Sequence, residues 1–155
     1  MTSNHVVACE DFFESVNVLL REEHSVTFCA QGNSMWPLIH HGDVVTLQHC
    51  TRGFEEGDIV LARTMSLPRV VLHRVIKIEQ NGDFVLQGDA NCKQVERCRM
   101  EDIAGVAVSI LRGNSVIDVA SEKFVKRSRR WLALGVFRRV PLFLRRAHRK
   151  IFFRK

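Results

Sequence analysis

Ser34 lies in Gln31-Gly32-Asn33-Ser34-Met35-Trp36-Pro37, a small polar turn closed by a proline. A serine nucleophile needs such a setting: an exposed turn, backbone N–H groups that can receive a developing oxyanion, and a base within hydrogen-bond reach. Gly32 permits close backbone approach and Pro37 stops the segment from continuing as regular structure. Taken alone, a serine in a Gly/Asn/Pro turn is far more often structural than catalytic. His73, in Val71-Leu72-His73-Arg74-Val75-Ile76, is a titratable base inside an alternating strand. By itself it reads as a surface or hydrogen-bonded histidine. Asp89, in Gln87-Gly88-Asp89-Ala90-Asn91, follows a hairpin where Asp and Asn are common for turn reasons alone. His40 and His41, six and seven residues after Ser34, read as surface loop residues rather than as a base or metal ligands.

The elements that must position these residues are mostly strands. Phe12, Phe13, Val16, Leu19 and Leu20 recur at three- and four-residue spacing, which predicts one amphipathic helix near residues 10 to 22. Beyond it, VTFCA, DVVTLQ, DIVLAR, VVLHRVIKI, DFVLQ, IAGVAVSIL and SVIDVA are short runs rich in β-branched residues, separated by Gly, Asn, Asp or Pro turns. IKIEQNGDFVLQ is the clearest hairpin. The reading is a strand-dominated small domain with one N-terminal helix laid on it.

Length and charge bound what such a domain can do. At 155 residues the chain has room for one real core and little more. Residues 1 to 122 carry 10 Lys+Arg against 17 Asp+Glu, a net of −7, whereas residues 123 to 155 carry 13 Lys+Arg and no acid. The chain therefore divides at 122/123 into an acidic body and a basic tail whose partner is anionic. Five cysteines (Cys9, Cys29, Cys50, Cys92, Cys98), odd in number and without a C-x-x-C pair, argue against a disulfide framework or a zinc ribbon. No Cys/His/Asp cluster has metal-ligand spacing and no Gly-rich phosphate loop is present, so neither metal nor cofactor is expected. The N-terminus carries acids through its apolar positions and does not read as a secretory signal. No run of about 20 apolar residues offers a transmembrane helix. The expected location is the cytoplasm.

Order and spacing change the weight of the separate motifs. Gly-x-Ser-Met-x-Pro, then Gly42-Asp43, a strand with His73-Arg74-Val75, Gly88-Asp89-Ala90-Asn91, and a closing Glu101-Asp102-Ile103-Ala104-Gly105-Val106-Ala107 fall in one sequence. That series, from about Gln31 to Ile110, resembles the serine peptidase superfamily of type I signal peptidases and SOS-type repressors. Most bacterial members use a lysine at the third motif. His73 at that place resembles the Ser/His branch of the archaeal and endoplasmic-reticulum signal peptidases.

The resemblance implies a mainly β, signal-peptidase-like domain with Ser34 as nucleophile, His73 as general base, and Asp89 as the acid that orients or electrostatically supports the histidine. It also implies an oxyanion hole from the Ser34 N–H and its neighbours. Members of that branch often carry a further aspartate about six residues beyond the Gly-Asp aspartate. Here the sequence reads Cys92-Lys93-Gln94-Val95-Glu96, so either Glu96 takes that place in a shifted register or the second acid is absent.

The tail mixes arginine pairs with Trp131, Leu132, Leu134, Phe137, Val140, Phe143, Leu144, Ile151 and Phe152. If Pro141 opens a helix, Leu144, Ala147 and Ile151 share one face, the pattern of a basic amphipathic membrane-surface segment. An anionic membrane surface ranks first as partner of residues 123–155, docking on the acidic body or a partner second, and nucleic acid third. The function expected is a serine endopeptidase that processes a precursor or leader-bearing peptide near a membrane surface, peripheral on the inner face. Its rival is a catalytically inactive peptide-binding or membrane-docking module on the same scaffold.

Overall fold

The computed structural model describes residues 3–66, 69–91 and 93–138, with side chains from residue 10 onward except those of 136 and 138. Helix α1 (Ser3–Arg21) is followed by strands β1 (Val26–Cys29), β2 (Val44–Gln48), β3 (Ile59–Arg63), β4 (Val70–Ile78), β5 (Phe84–Gln87), β6 (Glu96–Cys98), β7 (Ile103–Arg112) and β8 (Ser115–Asp118), then helix α2 (Glu122–Ala133). One antiparallel sheet runs β1-β2-β7-β3-β4-β5-β6, with β8 paired to β7. The architecture is mainly β with a helix at each end. All seven runs singled out above form strands. β6 is additional, because Glu-Arg-Cys has no apolar alternation and becomes a strand only through pairing with β5, where Leu86 faces Glu96.

α1 begins seven residues before the span its apolar spacing marks; of the stripe expected there Phe13, Val16 and Leu20 are sealed, whereas Phe12 and Leu19 stay exposed beside Asp11, Glu14 and Ser15. Burying side chains of this kind contributes about 1.5–3 kcal/mol each. Gly105 of β7 lets the helix sit this close, since a Cβ there would lie 2.6 Å from Leu20 Cδ1 and 2.7 Å from the Gln48 carbonyl oxygen.

β3 is buried on both faces, so its residues alternate between two cores. Ile59 and Leu61 join Phe13, Leu20, Leu47 and Ile110, whereas Val60 and Ala62 join Val75, Phe84, Leu86 and Cys98. Cys98 is buried in that second core, which pushes its thiol up to about 12. Cys29, Cys50 and Cys98 are free, and Cys92 lies outside the described residues.

α2 starts at Glu122 with Ser121 as its N-cap, accepting from the Phe124 N–H. The boundary between body and tail at 122/123 therefore falls inside the first helical turn. Phe124 joins the first core, and Ser128 and Trp131 are buried on the same stripe. This segment's apolar face is accordingly occupied by the body, and Lys123, Lys126, Arg127, Arg129 and Arg130 are exposed. The Pro141 helix lies outside the described residues. No helix among the described residues is long and apolar enough to cross a membrane.

The segment from Ser34 to β2 is fastened to the sheet by one ion pair. Arg112 at the end of β7 donates from Nε to Asp43 Oδ1 at 3.0 Å, from Nη2 to Asp43 Oδ2 at 2.6 Å, and from Nη2 to the Leu38 carbonyl at 2.9 Å. Burial pushes the Asp43 carboxyl up, but Arg112 and the His40 N–H outweigh it and hold it below its usual value. Arg112→Ala leaves this carboxylate buried without its cation and is expected to cost about 2 kcal/mol in urea unfolding at neutral pH. Because the folded carboxyl titrates below 3.8, the pair's stabilisation is present above that value and fades as pH falls through the lowered one. Parent and variant should converge there; a constant gap down to the acid transition would assign the loss to packing instead.

Candidate active site

β4 presents His73 and Arg74 to opposite sides of the sheet, as successive strand residues must. His73 pairs across β3 with Val60, on the face of the second core, and Arg74 pairs with Ile59. Both are buried, and each is met by a carboxylate. His73 Nδ1 lies 3.1 Å from Glu96 Oε2. Arg74 donates from Nε and Nη2 to the two oxygens of Asp89, at 2.9 Å each, and from Nη1 to the Gly57 carbonyl at 2.7 Å. The acid in contact with the imidazole is therefore Glu96, and the Asp89 carboxylate is engaged by the guanidinium. The reason is strand parity: Asp89 continues the face of Gln87, which pairs with Arg74, whereas Glu96 pairs with Leu86 on the His73 face. Asp89 still lies close enough to favour the charged imidazole electrostatically.

The Ser34 turn meets this strand at Gly88. A Cβ built on Gly88 would lie 2.7 Å from the Ser34 carbonyl oxygen, 3.0 Å from His73 Nε2 and 3.2 Å from Ser34 Cβ. Serine and imidazole thus face each other across the space that any other residue at 88 would fill. The Ala90 N–H donates to the Ser34 carbonyl at 2.7 Å and ties the two turns together. Ser34 is exposed, and the Trp36–Pro37 peptide that follows is cis. With Nδ1–H donated to Glu96, the imidazole directs an unprotonated Nε2 toward the serine, the tautomer a general base requires.

A cavity of about 420 Å³ opens beside the pair. Its apolar wall includes Phe12 from α1, Phe28 and Ala30 from β1 and its end, and Met35, Ile39 and Leu72. His40 also borders it, with its Nε2 3.1 Å from the Pro37 carbonyl and its pKa lowered by burial and then by Arg112. His41 is exposed, and its Nδ1 accepts from the Gly32 N–H at 3.2 Å. Both histidines thus serve the turn that carries Ser34. Among the described residues, no three His, Cys, Asp or Glu side chains are grouped to hold a metal ion.

Gly88 and Arg74 belong to the site although the sequence analysis assigns neither to it. Gly88 stood within a quoted motif, but only the approach of the Ser34 turn gives it a function. Arg74 is the neighbour of His73, and strand alternation together with the position of Asp89 two residues after Gln87 was the available signal.

Burial is the largest influence on His73 and lowers its pKa from 6.5, while the Glu96 and Asp89 charges oppose that shift. The imidazole is therefore neutral at pH 7 and gains its proton only below 6.5. Glu96→Gln removes the larger opposing charge, so an NMR titration of the His73 ring should give a midpoint below 6.5 in the parent and lower still in the variant. A variant midpoint at or above that of the parent would show that Glu96 does not act on this imidazole.

A family model described as Peptidase S24-like matches residues 3–108, more than half of the chain. No curated protein and no solved structure matches the chain significantly. The matched span covers α1, the Ser34 turn, His73, Gly88 and Glu96, and the chain belongs to the Peptidase S24-like family, within the serine peptidase superfamily of type I signal peptidases and SOS-type repressors.

Proposed function

We propose that the protein is a serine endopeptidase of the Ser/His type, with Ser34 as nucleophile, His73 as general base, and Glu96 holding the imidazole in its reactive tautomer. The observation that carries this reading is the contact at Gly88, where Ser34 Cβ and His73 Nε2 both come within 3.2 Å of one point while Nδ1 is held from behind. In the reaction, Ser34 Oγ attacks the scissile carbonyl carbon as its proton passes to Nε2. The tetrahedral intermediate then collapses, the C–N bond breaks, and the imidazolium protonates the leaving amine. Water, deprotonated by the same imidazole, hydrolyses the acyl-serine. Asp89 contributes its charge at a distance. β1, at one end of the sheet order, offers an edge on which an extended peptide can pair, with the apolar cavity ready for one of its side chains.

Purified parent, Ser34→Ala and His73→Ala proteins, shown by circular dichroism to be folded, should be incubated with a mixed peptide pool and the products sequenced by mass spectrometry. Cuts are expected only from the parent, with losses of about 10³-fold or more in each variant. Equal cutting by parent and Ser34→Ala would remove the assignment. No cuts by a folded parent would favour a scaffold that binds peptides without hydrolysing them.

The substrate we propose is a precursor or leader-bearing peptide presented at an anionic bilayer, such as a cytoplasmic leaflet. The basic face of α2, with its apolar stripe turned into the body, supports electrostatic rather than insertive binding for this helix. Flotation with phosphatidylserine-containing vesicles should recover the parent. The triple variant Lys123→Glu, Lys126→Glu, Arg130→Glu should bind about a hundredfold or more weakly, since three cations at about 1 kcal/mol each are lost. Undiminished flotation of that variant would take α2 out of the binding surface.

A further inference from the structure

We propose that Trp131 is a positioning residue of the peptidase site, holding the Ser34 turn in place through the Asp89–Ala90 peptide unit; this rests on the Ser34/His73 reading above. The Trp131 indole Nε1–H donates to the Asp89 carbonyl at 2.9 Å. The N–H of the same peptide unit, that of Ala90, donates to the Ser34 carbonyl at 2.7 Å. One rigid amide plane is thus gripped from both ends, by the helix on its oxygen and by the nucleophile's own carbonyl on its nitrogen. Turning that plane would swing the Ala90 N–H away from Ser34 and release the Ser34–Met35 peptide. The Oγ position relative to His73 depends on that peptide.

Two further contacts bring α2 to the other side of the same turn. The Trp131 ring meets Trp36 edge-on, with centroids 5.6 Å apart, and Arg127 Nη2 donates to the Pro37 carbonyl at 3.3 Å. Trp36 and Pro37 follow Ser34 by two and three residues. α2 therefore touches both turns that meet at Gly88, and an indole that is buried yet polar at one edge suits the task, since its N–H needs an acceptor. The helix lies beyond residue 108, where the family match ends. In this chain the catalytic geometry is completed by a segment outside the matched region.

Trp131→Phe keeps a ring against Trp36 while removing the donor and part of the indole's volume; Trp131→Ala removes ring and donor. Trp36 and Trp131 are the chain's two tryptophans, so emission from the remaining Trp36 checks that its surroundings are retained in the Phe variant. The expected result for Trp131→Phe is that the Ala90 amide exchanges with solvent about fivefold faster or more, while β7 amides keep the parent's rates. kcat should fall about fivefold with KM and the His73 titration unchanged, measured well below the melting temperature. Trp131→Ala should lose more, and Trp131→His, which restores a ring N–H, should recover part of kcat. Ala90 exchange at the parent's rate in Trp131→Phe would overturn the proposal. Faster exchange with kcat intact would remove its catalytic part. If the parent cuts no peptide, the peptidase reading falls, and the Ala90 exchange alone decides whether Trp131 positions the turn.

Discussion

The candidate site depends on a close approach at Gly88, where the Ser34 backbone and the His73 imidazole press on the place a side chain would occupy. Contacts of 2.7 and 3.0 Å to a hypothetical Cβ cannot be relieved by small adjustments, because one of the opposing atoms is backbone and the other is the tip of a buried ring held by a carboxylate. Much of the fold can be read as the means of maintaining that approach. The Ala90 N–H and the Arg112–Asp43 clip hold the turn from two directions, and the β3–β4–β5 register fixes the strand beneath it.

β4 carries two buried cations or potential cations in succession, and the protein treats them differently. Arg74 is always charged, so its burial requires full satisfaction, which Asp89 and the Gly57 carbonyl provide. Such a pair need not stabilise the fold relative to apolar residues, but it rigidly locates the Gly88–Asp89 turn. His73 can lose its charge. Burial favours the neutral ring, while a single acid on Nδ1 fixes its tautomer and stands ready to stabilise the imidazolium when a proton arrives. Adjacent residues on one strand thus differ in kind, a permanently charged one that fixes a turn and a titratable one to which the proposed function assigns the base.

α2 combines two properties that its sequence presents together. Its apolar stripe is spent on the body, and its cations remain exposed. The stripe includes Trp131, which donates to the Asp89 carbonyl, and the cation Arg127 reaches the Pro37 carbonyl, so both faces of one short helix contact the turns around Gly88. Phe124 on the same stripe joins the first core.

The sequence by itself determined the seven longer strands and the buried side of α1: short runs rich in β-branched residues between turn residues, and apolar residues at three- and four-residue spacing, are local properties. Ser34 and His73 stood out only through the order and spacing of the separate motifs, since the immediate neighbours of each read as an ordinary turn and an ordinary strand. Only the tertiary structure decided which acid meets which base. Asp89 and Glu96 are both near His73 along the chain, and the choice between them follows from the pairing of β4, β5 and β6, where one residue of register exchanges the faces. β6 is too short to show a period, and Trp131 is separated from Asp89 by 42 residues, so their hydrogen bond exists only once the helix has packed. Local pattern can propose the chemistry, whereas the pairing of charges depends on contacts that no stretch of sequence contains.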